Sequence, residues 1–337
     1  MTVTIRDVAR HAGVGVGTVS RVLNNSQAVK STTRERVLAA IEDLEYVPNE
    51  HARRLSTGKT FTIGVIAPFF TSQSVVERLR GIEAVIDGTA YDLVMYNINS
   101  LDQLNKYTRE LTRNKSVDGL LIISMKSDLF DTSRIKEMNL PTVIVDAESD
   151  TFSTITIDDV RGGYLATKHL IDMGHRHIAF LSDIFDAELG NNSSEDRLAG
   201  YKTALCESNI PYSEELTYHY NYTREAGFKM SRDLFQSNKA VTAIFATSDM
   251  LAAGVIQACK EFDLSIPQDI SLIGFDDIEL AEFMNLTTVH QPLFESGKRG
   301  ANELLNQLVS NSGPQSICEI TLPIELVIRG TTNSVAR

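Results

Sequence analysis

From residue 61 onward, short continuous runs of apolar residues alternate with amphipathic segments. Runs as continuous as Ile63–Ala67 and Gly119–Ile123 are typical of parallel strands, because helices cover both faces of such a sheet. The alternation starts again at Tyr164, which indicates a second sheet. We therefore predict an α/β body of two doubly wound, parallel-sheet lobes. The predicted strands are Ile63–Ala67, Leu93–Tyr96, Gly119–Ile123, Thr142–Val145, Ile178–Leu181, Ala243–Ala246 and Ser271–Phe275, with helices at 75–87, 101–113 and 164–173.

The first 48 residues carry a different pattern, which predicts an all-α head. Thr4 begins a capping box, and apolar residues then recur at helical spacing until Gly13 ends the helix. A glycine-containing turn leads to a second helix at 16–23. Thr32–Glu35 forms a second capping box, which predicts that Thr32 caps a third helix. The buried stripe of that helix is predicted to be Val37, Leu38, Ile41 and Leu44. This order is the helix-turn-helix layout, although a generic three-helix bundle shows the same periodicity.

A short linker separates the head from the body. Pro48 ends the third helix, and Asn49 can cap a hinge helix from Glu50 to Thr57 before Gly58. A helix of two turns is too short to be stable alone in water. We therefore divide the chain into a head at 1–48, a hinge at 49–60 and a body at 61–337. Lobe one is predicted at about 61–158 and 291–321, and lobe two at about 161–288 and 323–330.

Charge and cysteine content limit the classes of protein to which the chain can belong. The net charge is −12, yet eight Lys and Arg face six Asp and Glu through Gly58, so the segment 1–58 carries +2 and the rest of the chain −14. Such asymmetry is a weak indication of a head that faces nucleic acid. The three cysteines are scattered, which argues against disulfides and a zinc site. Without a visible secretory signal or a long apolar run, we expect a cytoplasmic protein with no membrane partner.

Several motifs at fixed spacing identify the chain as similar to the LacI/GalR repressor family. In the head and hinge these motifs are Asp7-Val8-Ala9-Arg10-x-Ala12-Gly13-Val14, Thr18-Val19-Ser20-Arg21-Val22-Leu23-Asn24 and Tyr46-Val47-Pro48-Asn49. In the body they are Gly174-His175-Arg176, Arg197-x-x-Gly200-Tyr201, Ser248-Asp249-x-x-Ala252, Gly274-Phe275-Asp276-Asp277 and Val289-x-Gln291-Pro292. The resemblance covers nearly the whole chain. It implies a body of the periplasmic-binding-protein-like type I fold, crossed between its lobes near 158–162, 288–292 and 322–323.

The resemblance also implies which residues contact DNA. The second helix would lie in the major groove, where Arg21 can bond to a guanine edge and short polar side chains can bond to phosphates. In the hinge, Leu55 matches a leucine that enters the minor groove and kinks the duplex. Gly17 departs from the usual pattern and weakens the second helix by about 1 kcal/mol relative to alanine. The DNA-binding candidates are Thr4, Val16, Gly17, Thr18, Ser20, Arg21, Asn24, Ala52, Arg53 and Leu55.

A second group of candidates follows the predicted strand ends, where ligands bind to open α/β sheets. Sugar recognition needs polar groups for vicinal hydroxyls and an apolar face for the ring, and the resemblance implies a ligand of this kind between the lobes. The effector-binding candidates are Phe69, Phe70, Asp146, Arg197, Tyr222, Ser248, Asp276 and Gln291. Bland alternatives stand beside some of them: Asp249 can cap a helix, Asp277 fits a turn, and one of Phe69 and Phe70 fits the core. The acidic and Asn-rich loop at 182–194 should border the cleft mouth.

These observations predict a sequence-specific repressor under allosteric control by a small molecule, most simply a sugar. We expect a homodimer, or a pair of dimers, on a near-palindromic operator, with neither cofactor nor metal. An enzyme is disfavoured because adjacent acids such as Asp276 and Asp277 project to opposite sides of an extended segment. His175-x-His177 has no third metal ligand nearby. Control by a partner protein, or by a nucleoside or purine, remains open, whereas a secreted binding protein of the same fold would need a signal peptide in place of the head.

Overall fold

The computed structural model describes residues 3–23, 26, 28–46, 58–183, 189, 193–220, 223–237, 239–309 and 317–335. The chain divides into two compact units, Met1–Thr60 and Phe61–Arg337. The predicted hinge helix, with Ala52, Arg53 and Leu55, lies outside the described residues. Two further candidates, Asn24 and Tyr222, also lie outside them.

The described part of the first unit contains three helices: α1 (Ile5–His11), α2 (Val16–Leu23) and α3 (Ser31–Asp43). The predicted capping interaction of α1 is present, since the Asp7 carboxylate accepts from the Thr4 N–H at 3.0 Å and from its hydroxyl at 2.7 Å. Gly13 ends the first helical segment in the left-handed region, with φ of +64°. Apolar residues from all three helices form the core of this unit: Val8, Ala9, Ala12, Val19, Val22, Val37 and Ala40.

Two predictions for the third helix are wrong. The helix begins at Ser31 with Lys30 as its N-cap, so Thr32 lies in the first turn and does not cap it. Leu38 is half exposed, and Ala40 is buried instead. The buried and partly buried positions are 37, 40, 41 and 44, which follow the spacing of one helical face, and position 38 does not belong to that face.

The second unit alternates strands and helices, as predicted. Lobe one begins with β1 (Thr62–Pro68), α4 (Gln73–Ile86), β2 (Asp92–Ile98), α5 (Leu101–Asn114), β3 (Gly119–Ile123), α6 (Thr132–Glu137), β4 (Thr142–Val145) and β5 (Ser153–Ile157). Lobe two follows with α7 (Asp159–Asp172), β6 (Ile178–Asp183), α8 (Ser193–Glu207), β7 (Thr217–Tyr220), α9 (Arg224–Gln236), β8 (Ala243–Ala246), α10 (Asp249–Glu261), β9 (Ser271–Asp276), α11 (Glu279–Phe283) and β10 (Thr287–His290). The chain ends with α12 (Leu293–Val309), β11 (Glu319–Leu322) and β12 (Glu325–Val327).

The strands form two six-stranded sheets with the orders β11-β5-β4-β3-β1-β2 and β12-β10-β9-β8-β6-β7. The chain passes between the sheets three times: at Asp158, between His290 and Leu293, and between β11 and β12. The pairings are parallel except that β12 runs antiparallel to β10, so the lobe-two sheet is not wholly parallel. Short edge and crossing strands such as β7 and β12 carry mixed residues and were not predicted.

The carboxyl ends of the parallel strands lie at one edge of each sheet, and they position the site described below. β1, β4, β6 and β9 end next to side chains that line one cavity. Within the described ranges, no helix combines the length and the apolar character that a membrane crossing requires. The same ranges contain no group of three or more His, Cys, Asp or Glu side chains placed to hold a metal ion.

Candidate effector cleft and DNA-contacting helix

A cavity of about 650 Å³ lies between the two lobes of the body, at the carboxyl ends of their parallel strands. Ligands bind at this position in open α/β sheets. Buried or half-buried charged side chains from both lobes line it, together with one residue of the second crossing. The buried or half-buried charged and amide-bearing members are Arg78, Asp146, Asp183, Arg197, Asp276 and Gln291, and the exposed ones are Gln73 and Arg224.

On the lobe-one side, a guanidinium and a carboxylate form a buried ion pair. Asp146 follows β4 with φ of +67°, and its Oδ1 accepts from Arg78 Nη2 at 2.5 Å. Its other oxygen accepts from the Ser124 hydroxyl at 2.6 Å. Arg78 is only 3% exposed. Because an unpaired buried charge destabilises the folded state, the guanidinium requires the Asp146 carboxylate beside it.

Arg78 was missed by the sequence analysis, although a signal for it exists. Val75, Arg78, Ile82 and Ile86 are the buried large side chains of α4, and they recur at helical spacing. An arginine within such an apolar stripe is expected to be paired when buried. Reading the stripe for an unexpected charge would therefore have singled it out.

On the lobe-two side, Arg197 is held by three contacts. Its Nε donates to Asp159 Oδ1 at 2.7 Å, and its Nη1 donates to the Thr247 carbonyl at 2.6 Å. Its Cζ lies 3.6 Å from the centroid of the Phe275 ring, a cation–π arrangement. Burial raises the pKa of the Asp159 carboxyl to about 6, against the lowering effect of the nearby guanidinium. Burial alone would lower the pKa of Arg197, but the carboxylates of Asp159 and Asp276 raise it above its usual range.

Gln291 joins the two sides at the second crossing. Its Oε1 accepts from Arg78 Nη2 at 3.1 Å, and its Nε2 donates to Asp276 Oδ1 at 2.5 Å. Asp276 ends β9 with φ of +111° and is 2% exposed. Behind it, burial and then the charge of Asp276 raise the pKa of Asp249 well above its usual value.

In the head, α2 presents one face to solvent. Val16, Gly17 and Arg21 are exposed, whereas Val19 and Val22 are fully buried against the other helices. The exposed positions follow the spacing of one helical face. The exposed face of this helix can therefore contact a DNA groove while Val19 and Val22 stay packed in the core of the head.

Comparison with known proteins decides the family. The profile of the bacterial regulatory proteins of the lacI family matches residues 4–49, and that of the periplasmic binding protein-like domain matches residues 167–332. The HTH-type transcriptional repressor PurR of Vibrio campbellii is 34% identical over 341 residues, which cover 98% of this chain and 99% of that protein. The chain belongs to the LacI family.

Two solved structures extend this LacI-family match to the fold. The Lac repressor dimer bound to operator and the anti-inducer ONPF has a TM-score of 0.85 at 27% identity, with 99% of this chain and 100% of that chain covered. A LacI family regulator from Enterococcus faecium with bound ribose has a TM-score of 0.72 at 30% identity, with 82% and 100% covered. The predicted α/β fold with a helix-turn-helix head is confirmed. The chain is a DNA-binding transcriptional repressor of the LacI family whose action a small molecule controls.

The structure of this LacI-family chain brings Phe69, Asp146, Arg197, Asp276 and Gln291 to the cavity. It does not bring two other candidates there. Ser248 is fully buried, and its hydroxyl caps α10 by accepting from the Leu251 N–H at 3.2 Å. Phe70 is exposed and is not among the residues that line the cavity. Our placement of Ser248 in the cleft is wrong, because a residue after a strand end can cap the next helix. The contact of Phe70 with an effector stays a prediction.

The structure describes the four residues for which the sequence offers a structural role. Asp249 does not cap α10, since Ser248 does; its carboxylate instead accepts from the Thr288 hydroxyl at 2.7 Å and the Ile278 N–H at 2.9 Å. Asp277 has φ of +58°, as a turn residue can. Phe69 and Phe70 are both exposed, so neither is a core residue.

The segment 182–194, which comprises the end of β6, the loop after it and the start of α8, contributes to the cavity wall through its described residues. Asp183, Leu189, Ser193 and Ser194 line the cavity. The Ser194 hydroxyl donates to Asp183, and burial raises the pKa of the Asp183 carboxyl. The rest of this loop, at 184–188 and 190–192, lies outside the described residues.

Proposed function

We propose that the effector of this repressor is a small, neutral carbohydrate that binds in the interlobe cavity. Arg197 and Asp276 bond to its hydroxyls from lobe two, and Asp146 does so from lobe one. Phe69, which is 56% exposed at the cavity, contacts the C–H face of the ring. The observation that carries the proposal is that a guanidinium and a carboxylate face the cavity from each lobe.

Two properties of this arrangement support a polyol. A hydroxyl both donates and accepts, so a vicinal diol can accept from a guanidinium while it donates to the neighbouring carboxylate. The formal charges of the described lining residues also balance: Arg78, Arg197 and Arg224 stand against Asp146, Asp183 and Asp276. A strongly charged ligand would disturb that balance, whereas a neutral one does not.

On the DNA side, we propose that the chain acts as a homodimer on a near-palindromic operator, with α2 of each head in the major groove. Arg21 reads a base edge, Val16 and Gly17 lie against the base pairs, and Thr18 and Ser20 bond to phosphates. Thr4 and Asn24 add backbone contacts. The proposal includes the hinge, with Leu55 as a wedge in the minor groove and Ala52 and Arg53 beside it. We assign the chain no catalytic role.

A ligand screen of the full chain tests the proposal. Thermal unfolding is followed with pentoses, hexoses, disaccharides, nucleosides and purine bases, and each hit is measured by isothermal titration. A carbohydrate at about 100 times its Kd should stabilise the folded state by about 2.7 kcal/mol. Operator binding, followed by fluorescence anisotropy, should change with that carbohydrate alone. A response to a nucleoside or purine and none to sugars would contradict the proposal, and no heat with any compound would favour control by a partner protein.

A matched pair of arginine variants tests the site. Arg197→Lys keeps a cation beside Asp159 but removes the planar group that bonds to several partners at once. We expect it to weaken carbohydrate binding at least tenfold and to leave operator binding without ligand nearly unchanged. Arg232→Lys is the control, because Arg232 is an exposed residue outside the cavity lining and its guanidinium pairs with Glu261 at 3.3 Å. Equal losses in the two variants would contradict the assignment of Arg197.

A further inference from the structure

A continuous hydrogen-bonded network of four side chains crosses the body. It runs from Asp146 through Arg78 and Gln291 to Asp276. Arg78 Nη2 lies 2.5 Å from Asp146 Oδ1 and 3.1 Å from Gln291 Oε1, and Gln291 Nε2 lies 2.5 Å from Asp276 Oδ1. Arg78 and Asp146 belong to lobe one, Gln291 to a crossing segment, and Asp276 to lobe two. The network therefore connects the two lobes, and each of its four residues lines the effector cavity.

The direction of each hydrogen bond in the network is fixed by whether the groups can donate or accept. A guanidinium only donates hydrogen bonds, an ionised carboxylate only accepts them, and an amide does both. Gln291 must therefore turn its oxygen toward Arg78 and its NH2 group toward Asp276. Without Arg78, Asp276 still orients the NH2 group, but Gln291 Oε1 loses the donor that connects it to Asp146.

We infer that Arg78 is a positioning residue of the effector cavity: it holds the Asp146 carboxylate directly and the Asp276 carboxylate through Gln291, and so keeps the two lobes at the angle that this structure has. The contacts are nearly dry, since Arg78, Asp276 and Gln291 are each at most 3% exposed. Hydrogen bonds to charged groups are stronger in such surroundings than in water. A ligand hydroxyl that reaches Asp276 must then compete with the Gln291 amide.

The same guanidinium has one donor that the network does not use. Arg78 Nε is buried and has no hydrogen-bond partner among the described residues. A buried donor without an acceptor makes a conformation less stable than one in which every donor is bonded. A ligand acceptor placed beside Arg78 Nε would satisfy this donor, so a bound ligand can compete for the guanidinium. This last step rests on the proposed function, whereas the connection between the lobes does not.

The test uses the ligand-free, full-length chain, so its outcome is independent of which effector binds. Arg78→Met keeps most of the apolar length of the side chain but cannot donate a hydrogen bond. Gln291→Met interrupts the network while leaving the ion pair of Arg78 with Asp146 intact. In both variants we expect amide exchange in peptides that span the crossings at 158–162 and 288–293 to become about tenfold faster or more. Arg80→Met is the control, because Arg80 lies on the same helix and pairs with Glu77 at 2.9 Å while its side chain is 62% exposed.

The double variant separates positioning from a general loss of stability. If the two residues act through the same network, the double variant Arg78→Met with Gln291→Met accelerates amide exchange at the crossings no more than the stronger single variant does. Additive acceleration would show that they act separately and would overturn the proposal. Unchanged exchange in both single variants would also overturn it. Equal acceleration in α2 of the head or in the sheet interiors would indicate global destabilisation and would contradict a role specific to the crossings. If no carbohydrate binds but the crossings respond as expected, the proposed effector class fails and this inference stands.

Discussion

Gly200 on α8 is in direct backbone contact with Val160 on α7, since a Cβ added at Gly200 would lie 1.9 Å from the Val160 carbonyl oxygen. One turn earlier, the Arg197 carbonyl lies 2.0 Å from the position of a Cβ at Gly163. The two glycines let the helix backbones touch, and this contact carries the Arg197 side chain to Asp159. The Arg-x-x-Gly spacing thus has a physical cause, because the glycine sets the helix distance at which the arginine reaches its partner.

Gly200→Ala should therefore affect both stability and the cleft. The added methyl group forces the helices apart, and overpacking of this kind costs about 1–3 kcal/mol. Urea unfolding measures the loss, and titration with a carbohydrate found in the screen should show weaker binding. Thr203→Ala on the exposed side of the same helix is the control, with an expected change within about 0.5 kcal/mol. Equal effects of the two substitutions would show that the close contact is not what the glycine provides.

Gly17 in α2 offers the opposite outcome. An added Cβ there meets nothing within 4 Å, and alanine is better than glycine in a helix by about 1 kcal/mol. We expect Gly17→Ala to slow amide exchange of α2 about fivefold in the absence of DNA. The matched variant is Gly13→Ala, whose φ of +64° costs a residue with a Cβ roughly 1–2 kcal/mol. Faster exchange in Gly17→Ala would contradict the expectation.

The parts of the fold that periodicity determines could be predicted from the sequence. The bounds of α2, β3, β4 and β8 agree with the structure, because a buried run or a buried helical face leaves a regular trace in the sequence. The short strands β7, β11 and β12 leave no such trace, since they pair at edges or crossings and bury few apolar residues. Their positions depend on the rest of the chain.

The site was predicted only in part, for a related reason. Asp146 follows β4, Asp276 ends β9 and Gln291 lies in a crossing, so the topology alone places them at the cavity. Arg78 reaches the cavity from the middle of a helix, and its role depends on partners 68 and 213 residues away. Ser248 has the right position after a strand but caps the next helix. Spacing cannot distinguish a cap from a ligand contact when both follow a strand end.

His175 predicts how the stability of the body depends on pH. The ring is 4% exposed and bonded on both nitrogens: Nδ1 to the Thr242 hydroxyl at 2.9 Å, and Nε2 to the Ser271 hydroxyl and the Asn333 carbonyl, each at 3.0 Å. Burial lowers the pKa of His175, although the Asn333 carbonyl partly offsets this effect. The neutral ring is therefore favoured in the folded state.

The sign of the effect follows from proton binding. Below pH of about 6.5 the unfolded chain binds a proton at this position before the folded chain does. The stabilising contribution of the neutral ring is complete above that pH, and it is lost as the pH falls through the lowered pKa of the folded state. Urea unfolding between about pH 5 and pH 8 should show a smaller loss towards acid in His175→Gln than in the unchanged chain. His177→Gln, at an exposed position nearby, should keep the full pH dependence, and an identical profile for all three proteins would contradict the assignment.

Arg21 separates base recognition from simple charge. If its guanidinium bonds bidentately to a guanine, Arg21→Lys should lose about 1–3 kcal/mol of discrimination between operator and random DNA, because an ammonium cannot form that pair of bonds. Random-DNA binding should be preserved in Arg21→Lys, since the positive charge remains. Arg21→Ala should weaken binding to both kinds of DNA and reduce the dependence of log K on log salt by about one per head. Anisotropy titrations against an operator selected from random sequence, at several salt concentrations, measure these quantities. Full operator affinity in Arg21→Lys would mean that Arg21 contacts phosphate and that other residues of the α2 face read the bases.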